Sequence, residues 1–124
     1  MIRRKFAPRD RGRAERAGRR AETIAAWWLR LHGWSILAMR ARVSGGEVDI
    51  VARRGRIVAF VEVKARRTEI AAGFAIDPSR LRRVFAAAAT LFERYRRPGD
   101  DMRVDAILLV PRRWPRHLVN LWQD

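Results

Sequence analysis

The chain has 124 residues, 28 of them Lys or Arg against 13 Asp or Glu, giving a formal charge of +15, and it contains no cysteine. A chain of that length makes one domain that buries a core without staples, and the missing thiols exclude disulfides, thiolate metal sites and a cysteine nucleophile. No apolar stretch approaches a membrane span and no signal-like segment follows the basic start, so the expected setting is cytoplasmic, away from membranes, with a polyanion such as nucleic acid as partner.

Residues 1–13 are rich in arginine and poor in large apolar side chains, and read as a basic flexible arm ahead of a single domain over 14–124. From about Arg13 a helix is expected, because Ala17, Ala21, Ile24, Ala25, Trp28 and Leu29 recur at three- and four-residue steps before Gly33. Trp34–Met39 reads as a strand, Ser44-Gly45-Gly46 as a turn, and Glu47–Arg53 as a second, alternating strand. Arg54-Gly55 turns the chain into a third strand, Arg56–Ala65. Thr68–Ala75 is a loop or ragged edge. Asp77-Pro78 opens a second helix, with an acceptor at the cap and proline in the first turn. Met102–Val110 is a fourth, mostly apolar strand expected in a central position, and His117–Trp122 a short fifth. The order is α-β-β-β-α-β in an α/β fold, and a helical crossover makes the third and fourth strands parallel.

The chemistry concentrates on the second and third strands. Lys64 is one of only two lysines, the other being Lys5, in a chain that otherwise uses arginine. It follows Glu62 by two residues, so the two side chains share a strand face. With Arg54 and Gly55 as the turn, Asp49 lies opposite Phe60 and Glu47 opposite Glu62. Glu47, Asp49, Glu62 and Lys64 then project from one face, and a loop longer or shorter by one residue would move Asp49 to the other. Asp49 and Glu62 become diagonal neighbours that a divalent ion can bridge. Mg²⁺ (or Mn²⁺) suits that pair, since it takes one or two carboxylates and keeps several waters. The plainer alternative is a strand ion pair worth under ~1 kcal/mol. His32 and His117 have no ligand-spaced neighbours, which argues against zinc. Trp27 and Trp28 are expected as core and flank of the first helix, and Trp114 and Trp122 as partner surface.

Gly18-x-x-Ala21-Glu22-x-x-Ala25, Gly46-Glu47-Val48-Asp49-Ile50-Val51-Ala52 and Phe60-Val61-Glu62-Val63-Lys64-x-Arg66, in that order and spacing, resemble the small bacterial YraN-like family. That family is similar to the PD-(D/E)xK, restriction-endonuclease-like superfamily, which includes Holliday-junction resolvases. The resemblance runs from Gly18 to Leu121, and takes in Arg103-Val104-Asp105 and Asn120. It departs from the superfamily signature in having Val48, not proline, before Asp49. It also places Arg80-Leu81-Arg82-Arg83 where the family more often has a lysine and polar neighbours.

The resemblance implies a restriction-endonuclease-like mixed sheet and a metal-dependent nuclease acting on DNA in preference to RNA. The alternative is a non-cleaving nucleic-acid-binding module of the same fold. A homodimer is compatible with either. By position, Asp49 and Glu62 match metal ligands, with the Val63 carbonyl a third, and Lys64 matches the catalytic lysine. Glu22 matches a first-helix glutamate that supports the metal through water; otherwise it is a helix-surface acid paired with Arg19 or a neighbour. Glu47 is either a supporting partner of the ligands or half of a hairpin ion pair. Arg66, Arg67, Arg80 and Arg83 are the candidate contacts to nucleic-acid phosphates.

Overall fold

The computed structural model describes residues 8–68 and 78–121, with side chains from Arg16 onward. Helix α1 spans Pro8–Leu31, strands β1, β2 and β3 span Ser35–Val43, Gly46–Arg54 and Ile57–Ala65, and helix α2 spans Pro78–Tyr95. Strands β4 (Asp101–Leu109) and β5 (Arg116–Leu118) complete the order. The expected α-β-β-β-α-β order holds, with the short β5 after it. Helix α1 begins at Pro8, ahead of the start expected near Arg13, so residues 8–13 of the expected arm are helical. Proline at a first helical position is pre-set for that start, and Arg, Ala and Glu are good helix formers. The remainder of the arm, most of the Thr68–Ala75 loop, Asp77 and Trp122 lie outside the described residues.

The five strands form one sheet in the order β1-β2-β3-β4-β5. Pairing is antiparallel from β1 to β3, parallel between β3 and β4 as the helical crossover demands, and antiparallel onto β5. Among the described residues one helix covers each face. Val84, Ala87, Ala88 and Leu91 of α2 pack with Val48, Val51, Val58, Phe60 and Val104. Ala25, Ala26 and Leu29 of α1 pack with Trp34, Ile50, Ala52, Ala59, Val61 and Ile107 on the other face. Because both faces of β3 are covered, its run Val58–Val61 is apolar without interruption, as buried strands near a parallel pair usually are.

Two glycines shape the connections into β1 and β3. Gly33, at φ +87°, ends α1 as its amide donates to the Arg30 carbonyl and the Trp34 amide donates to that of Leu29. The β2–β3 turn is Gly55-Arg56, one residue later than expected, with Arg54 paired to Ile57. Gly55 sits at φ +61°, the sign a type II′ hairpin needs at its first central position.

Arg53 ties β2 to the α2–β4 connection. Its guanidinium donates to both oxygens of Asp100, at 2.9 and 2.6 Å, and to the Tyr95 carbonyl, while the Arg97 amide also donates to Asp100. The Arg53 pairing holds the Asp100 carboxyl down at about 2. A depressed carboxylate stabilises the fold fully above its unfolded value and loses that contribution as pH falls through its folded value. Asp100→Ala is therefore expected to lower the melting temperature at neutral pH. The gap to the parent chain should close as pH drops from about 4 towards about 2; a gap unchanged over that range in thermal melts would remove the charge pair as its cause.

Candidate active site

The sheet forks at the end of β2 that carries Asp49. Pairing between β2 and β3 runs from Arg54↔Ile57 to Ile50↔Val61 and stops there. Beyond it β2 continues to pair with β1 down to Val43↔Gly46, and β3 continues to pair with β4 up to Ala65↔Leu109. In the gap, the Asp49 carboxylate takes the place of a strand carbonyl and accepts the Val63 amide at 2.8 Å.

Local backbone explains how Asp49 comes to do this. Val48 and Val51 both pack towards α2, three residues apart, so simple alternation is broken between them. Level with Asp49 on β1, Arg40 has a left-handed backbone at φ +52°. That conformation is uncommon for a non-glycine residue and costs of order 1 kcal/mol or more, and such positions cluster at functional sites. The irregularity passes through both strands at one level, sending the Arg40 guanidinium to Glu22 of α1 at 2.7 Å and the Asp49 carboxylate into the fork.

Glu62 and Lys64 follow the alternation of β3 and leave it on the Phe60 side, towards α2. Both are nearly buried, and the Lys64 ammonium meets Glu62 Oε1 at 2.7 Å. Arg80 of α2 meets the same oxygen at 3.2 Å. The hairpin register is two residues from the expected one, and an even shift leaves every side chain on its face. Asp49 thereby moves from the diagonal of Glu62 to its level. A common strand face is not what gathers these groups, however. They meet because the fork lets Asp49 approach β3 from its edge.

The fork opens into a cavity of about 420 Å³ lined by Glu22, Asp49, Val63, Lys64, Arg66 and Arg80, and by the small residues Ala17, Gly18 and Ala21 of α1. Burial, then the charge of Glu62, pushes the Asp49 carboxyl up to about 6, against the opposing hydrogen bond from Val63. A buried acid whose charge is disfavoured by burial and by a nearby acid is a place where an added cation is favoured.

Among the described residues no three His, Asp or Glu side chains gather into a cage. Glu22 lines the cavity but is bound to Arg40, not to Arg19. The carboxylates that could hold a cation here are those of Asp49 and Glu62, beside Val63, a small oxygen set that fits a hard cation keeping most of its water better than a closed zinc site.

Glu47 departs from the expected cluster. It pairs across the first hairpin with Arg42 at 3.2 Å, opposite it in register, and so is the hairpin ion pair. Of the expected phosphate contacts, Arg66 and Arg80 line the cavity, Arg67 is exposed one residue beyond it, and exposed Arg83 lines a separate hollow with Glu47 and Gly46. Arg40 was not legible as a site residue, since nothing in Met39-Arg40-Ala41 announces a left-handed arginine. His117 finds a role away from any metal. It joins Arg103 and the Asn120 amide in bonding the wholly buried Asp105, whose carboxyl these donors hold below its ordinary value against the cost of burial. Trp27, expected with Trp28 as core and flank, is more than half exposed, while Trp34 is the buried tryptophan among the described residues.

The raised Asp49 carboxyl has a consequence for stability. Between its free value of 3.8 and about 6 the folded state holds the extra proton, so stability falls as pH rises through that window and the loss is complete above it. Asp49→Asn removes the cost while keeping an acceptor for Val63. Without divalent ions at neutral pH, the variant is expected to melt roughly 5 °C above the parent, and added Mg²⁺ should raise only the parent. Scanning calorimetry with and without EDTA decides this, and a variant that melts lower would show the charge to be stabilising.

The fold and site together define a helix–sheet–helix α/β domain whose forked sheet brings Asp49 and Lys64 to an arginine-edged cavity, with Glu62 bound to Lys64. The model of the uncharacterised protein family UPF0102 matches residues 21–109, and the chain belongs to this YraN-like family. It is 63% identical over 113 residues to a UPF0102 protein of Sphingopyxis alaskensis, covering 91% of this chain and 97% of that one. Against UPF0102 proteins of Erythrobacter litoralis and Brucella canis it is 54% and 45% identical, covering 89% and 82% of this chain and 95% and 81% of theirs. Among the described residues no helix is long and apolar enough to cross a membrane.

Proposed function

We propose that the protein is a metal-dependent nuclease that hydrolyses phosphodiester bonds in DNA or structured nucleic acid. The observation that carries this reading is the fork, which brings the Asp49 carboxylate against Val63 beside the buried Glu62–Lys64 pair, with Arg66 and Arg80 on the rim of the same cavity. Asp49 and Glu62, with the Val63 carbonyl, would hold Mg²⁺ or Mn²⁺, which supplies charge neutralisation at the scissile phosphate and a more acidic water. Lys64 offsets charge that develops on the phosphate, from a fixed position set by Glu62. Arg66 and Arg80 hold the flanking phosphates. Glu22, fastened by Arg40, keeps negative charge at the α1 wall of the cavity.

A second reading, a non-cleaving nucleic-acid-binding module, is favoured by the engagement of Glu62 with both Lys64 and Arg80 and by the lack of a third acidic ligand among the described residues. Incubation with labelled single-stranded, duplex and branched substrates, with and without Mg²⁺ or Mn²⁺, separates the two. Ion-dependent cutting establishes the nuclease; tight binding without cutting by any ion establishes the module.

Both readings require binding dominated by phosphates. A surface with a +15 chain charge that engages six or more phosphates is expected to lose about 10³-fold in affinity between 50 and 200 mM salt. Anisotropy titrations of a labelled oligonucleotide measure the slope, and a flat response removes nucleic acid as the partner.

A further inference from the structure

A second groove, of about 530 Å³, adjoins the site and shares Ala17, Ala21, Ala65 and Arg66 with its cavity. Its floor is apolar, formed by Ile24 of α1 together with Leu109, Val110, Pro111 and Pro115 from the end of β4 and the loop after it. Its rim carries Arg20, Arg66, Arg67, Arg112 and Arg113, and among the described residues no acid lines it. The loop is shaped for this: the Arg113 amide donates to the Val110 carbonyl, and Arg112 is held in a left-handed backbone at φ +65°. That strained turn brings two consecutive arginines onto one groove.

From this geometry we infer that the groove holds an unpaired strand of the nucleic acid whose backbone enters the cavity, so that the substrate is single-stranded or carries a single-stranded branch. The inference rests on the nuclease or binding reading of the neighbouring site. Cationic rims suit any phosphate chain, so they do not select a strand form. The apolar floor does. A duplex hides its base faces in the stack and has nothing to offer Ile24, Leu109 or the prolines, whereas an unpaired base presents an apolar face that this floor covers. The volume falls within the ~300–1,000 Å³ range of sites for small ligands, which is the scale of individual nucleotides and not of a double helix. Continuity through Arg66 gives the strand a path from the floor to Lys64 and Asp49.

The test is fluorescence anisotropy with the full chain in EDTA, which removes cleavage from the measurement. The probes are a blunt duplex, the same duplex with a short single-stranded tail, and an oligothymidylate. Tailed duplex and oligothymidylate are expected to bind at least about fivefold tighter than the blunt duplex at equal salt. Ile24→Ser, at a half-exposed position, should remove most of that preference and leave blunt-duplex affinity unchanged. The double variant Arg67→Ser/Arg112→Ser, at exposed positions, should weaken tailed probes more than blunt ones, and supplies the same reading if the Ile24 variant folds poorly.

Equal affinity for blunt and tailed probes overturns the inference. So does an Ile24→Ser variant that keeps the tail preference but turns a dimer into a monomer by light scattering, which would assign this face to a second copy. The failures are separable: tail preference without ion-dependent cutting refutes the nuclease and leaves the groove, while cutting without tail preference refutes the groove alone.

Discussion

Asp49→Asn is expected to lose metal-dependent cleavage to background while binding nucleic acid as tightly as the parent or more so. The variant keeps the shape of the fork, because an amide oxygen still accepts the Val63 N–H. What it lacks is the ionised carboxylate that a hard cation requires. Asp49 lines the cavity with Glu22, and Glu62 adds charge from close by, so an ionised Asp49 would repel a substrate phosphate. Neutralising it relieves that repulsion, so affinity has no reason to fall. The same logic sets the pH dependence in the parent: cutting should decline below about pH 6, where Asp49 takes up its proton. Single-turnover cleavage beside a gel shift on one substrate gives both numbers. Equal loss of binding and cutting would assign Asp49 a structural role and remove the metal reading.

Lys64→Arg is expected to be nearly as damaging as Lys64→Ala, each by roughly 10²–10³-fold in the rate of cutting. Charge is preserved by arginine, so a position that supplied charge alone would tolerate it, in a chain that uses arginine almost everywhere else. The geometry gives the reason for intolerance. Lys64 is a compact point charge in a nearly closed space, and it touches Glu62 at Oε1, the oxygen that Arg80 also meets. A guanidinium is a planar fork that grips carboxylates with two parallel bonds. At position 64 it would engage both oxygens of Glu62 and withdraw that carboxylate from a cation. Circular dichroism and melting of the two variants control for overpacking, and full activity in Lys64→Arg would show that the position supplies charge only.

Elements with a strong period were legible from the chain alone, and so was the shared face of Glu62 and Lys64, because residues two apart on one strand point the same way whatever its register with a neighbour. The β2–β3 turn was misplaced by one residue. Arg54-Gly55 and Gly55-Arg56 are both acceptable turn pairs by composition, and glycine's place in the first position is decided by hairpin twist. The fork was not legible. Val48-Asp49-Ile50-Val51 reads as ordinary alternation with one acid, and only the burial of Val48 and Val51 on the same side exposes the break. Arg40 was missed because its left-handed backbone is imposed by the sheet around it, not by its own preference. Asp105 entered the sequence reading only through the resemblance at Arg103-Val104-Asp105; its partners are Arg103, His117 and Asn120, and only the folded β4–β5 edge brings the last two within reach.

The hydrogen bond from the Val63 amide to Asp49 makes that one proton a gauge of the site. A backbone N–H that faces a side-chain carboxylate, instead of a carbonyl, feels every change in that carboxylate's charge. In a nuclear magnetic resonance spectrum the Val63 amide shift therefore follows the protonation of Asp49, with its midpoint near 6, and responds again when a cation draws on the same oxygens. The neighbouring strand amides, bonded to carbonyls, provide the still background against which it moves. The same amide would thus report on the proposed cation site with neither a substrate nor an assay of cutting.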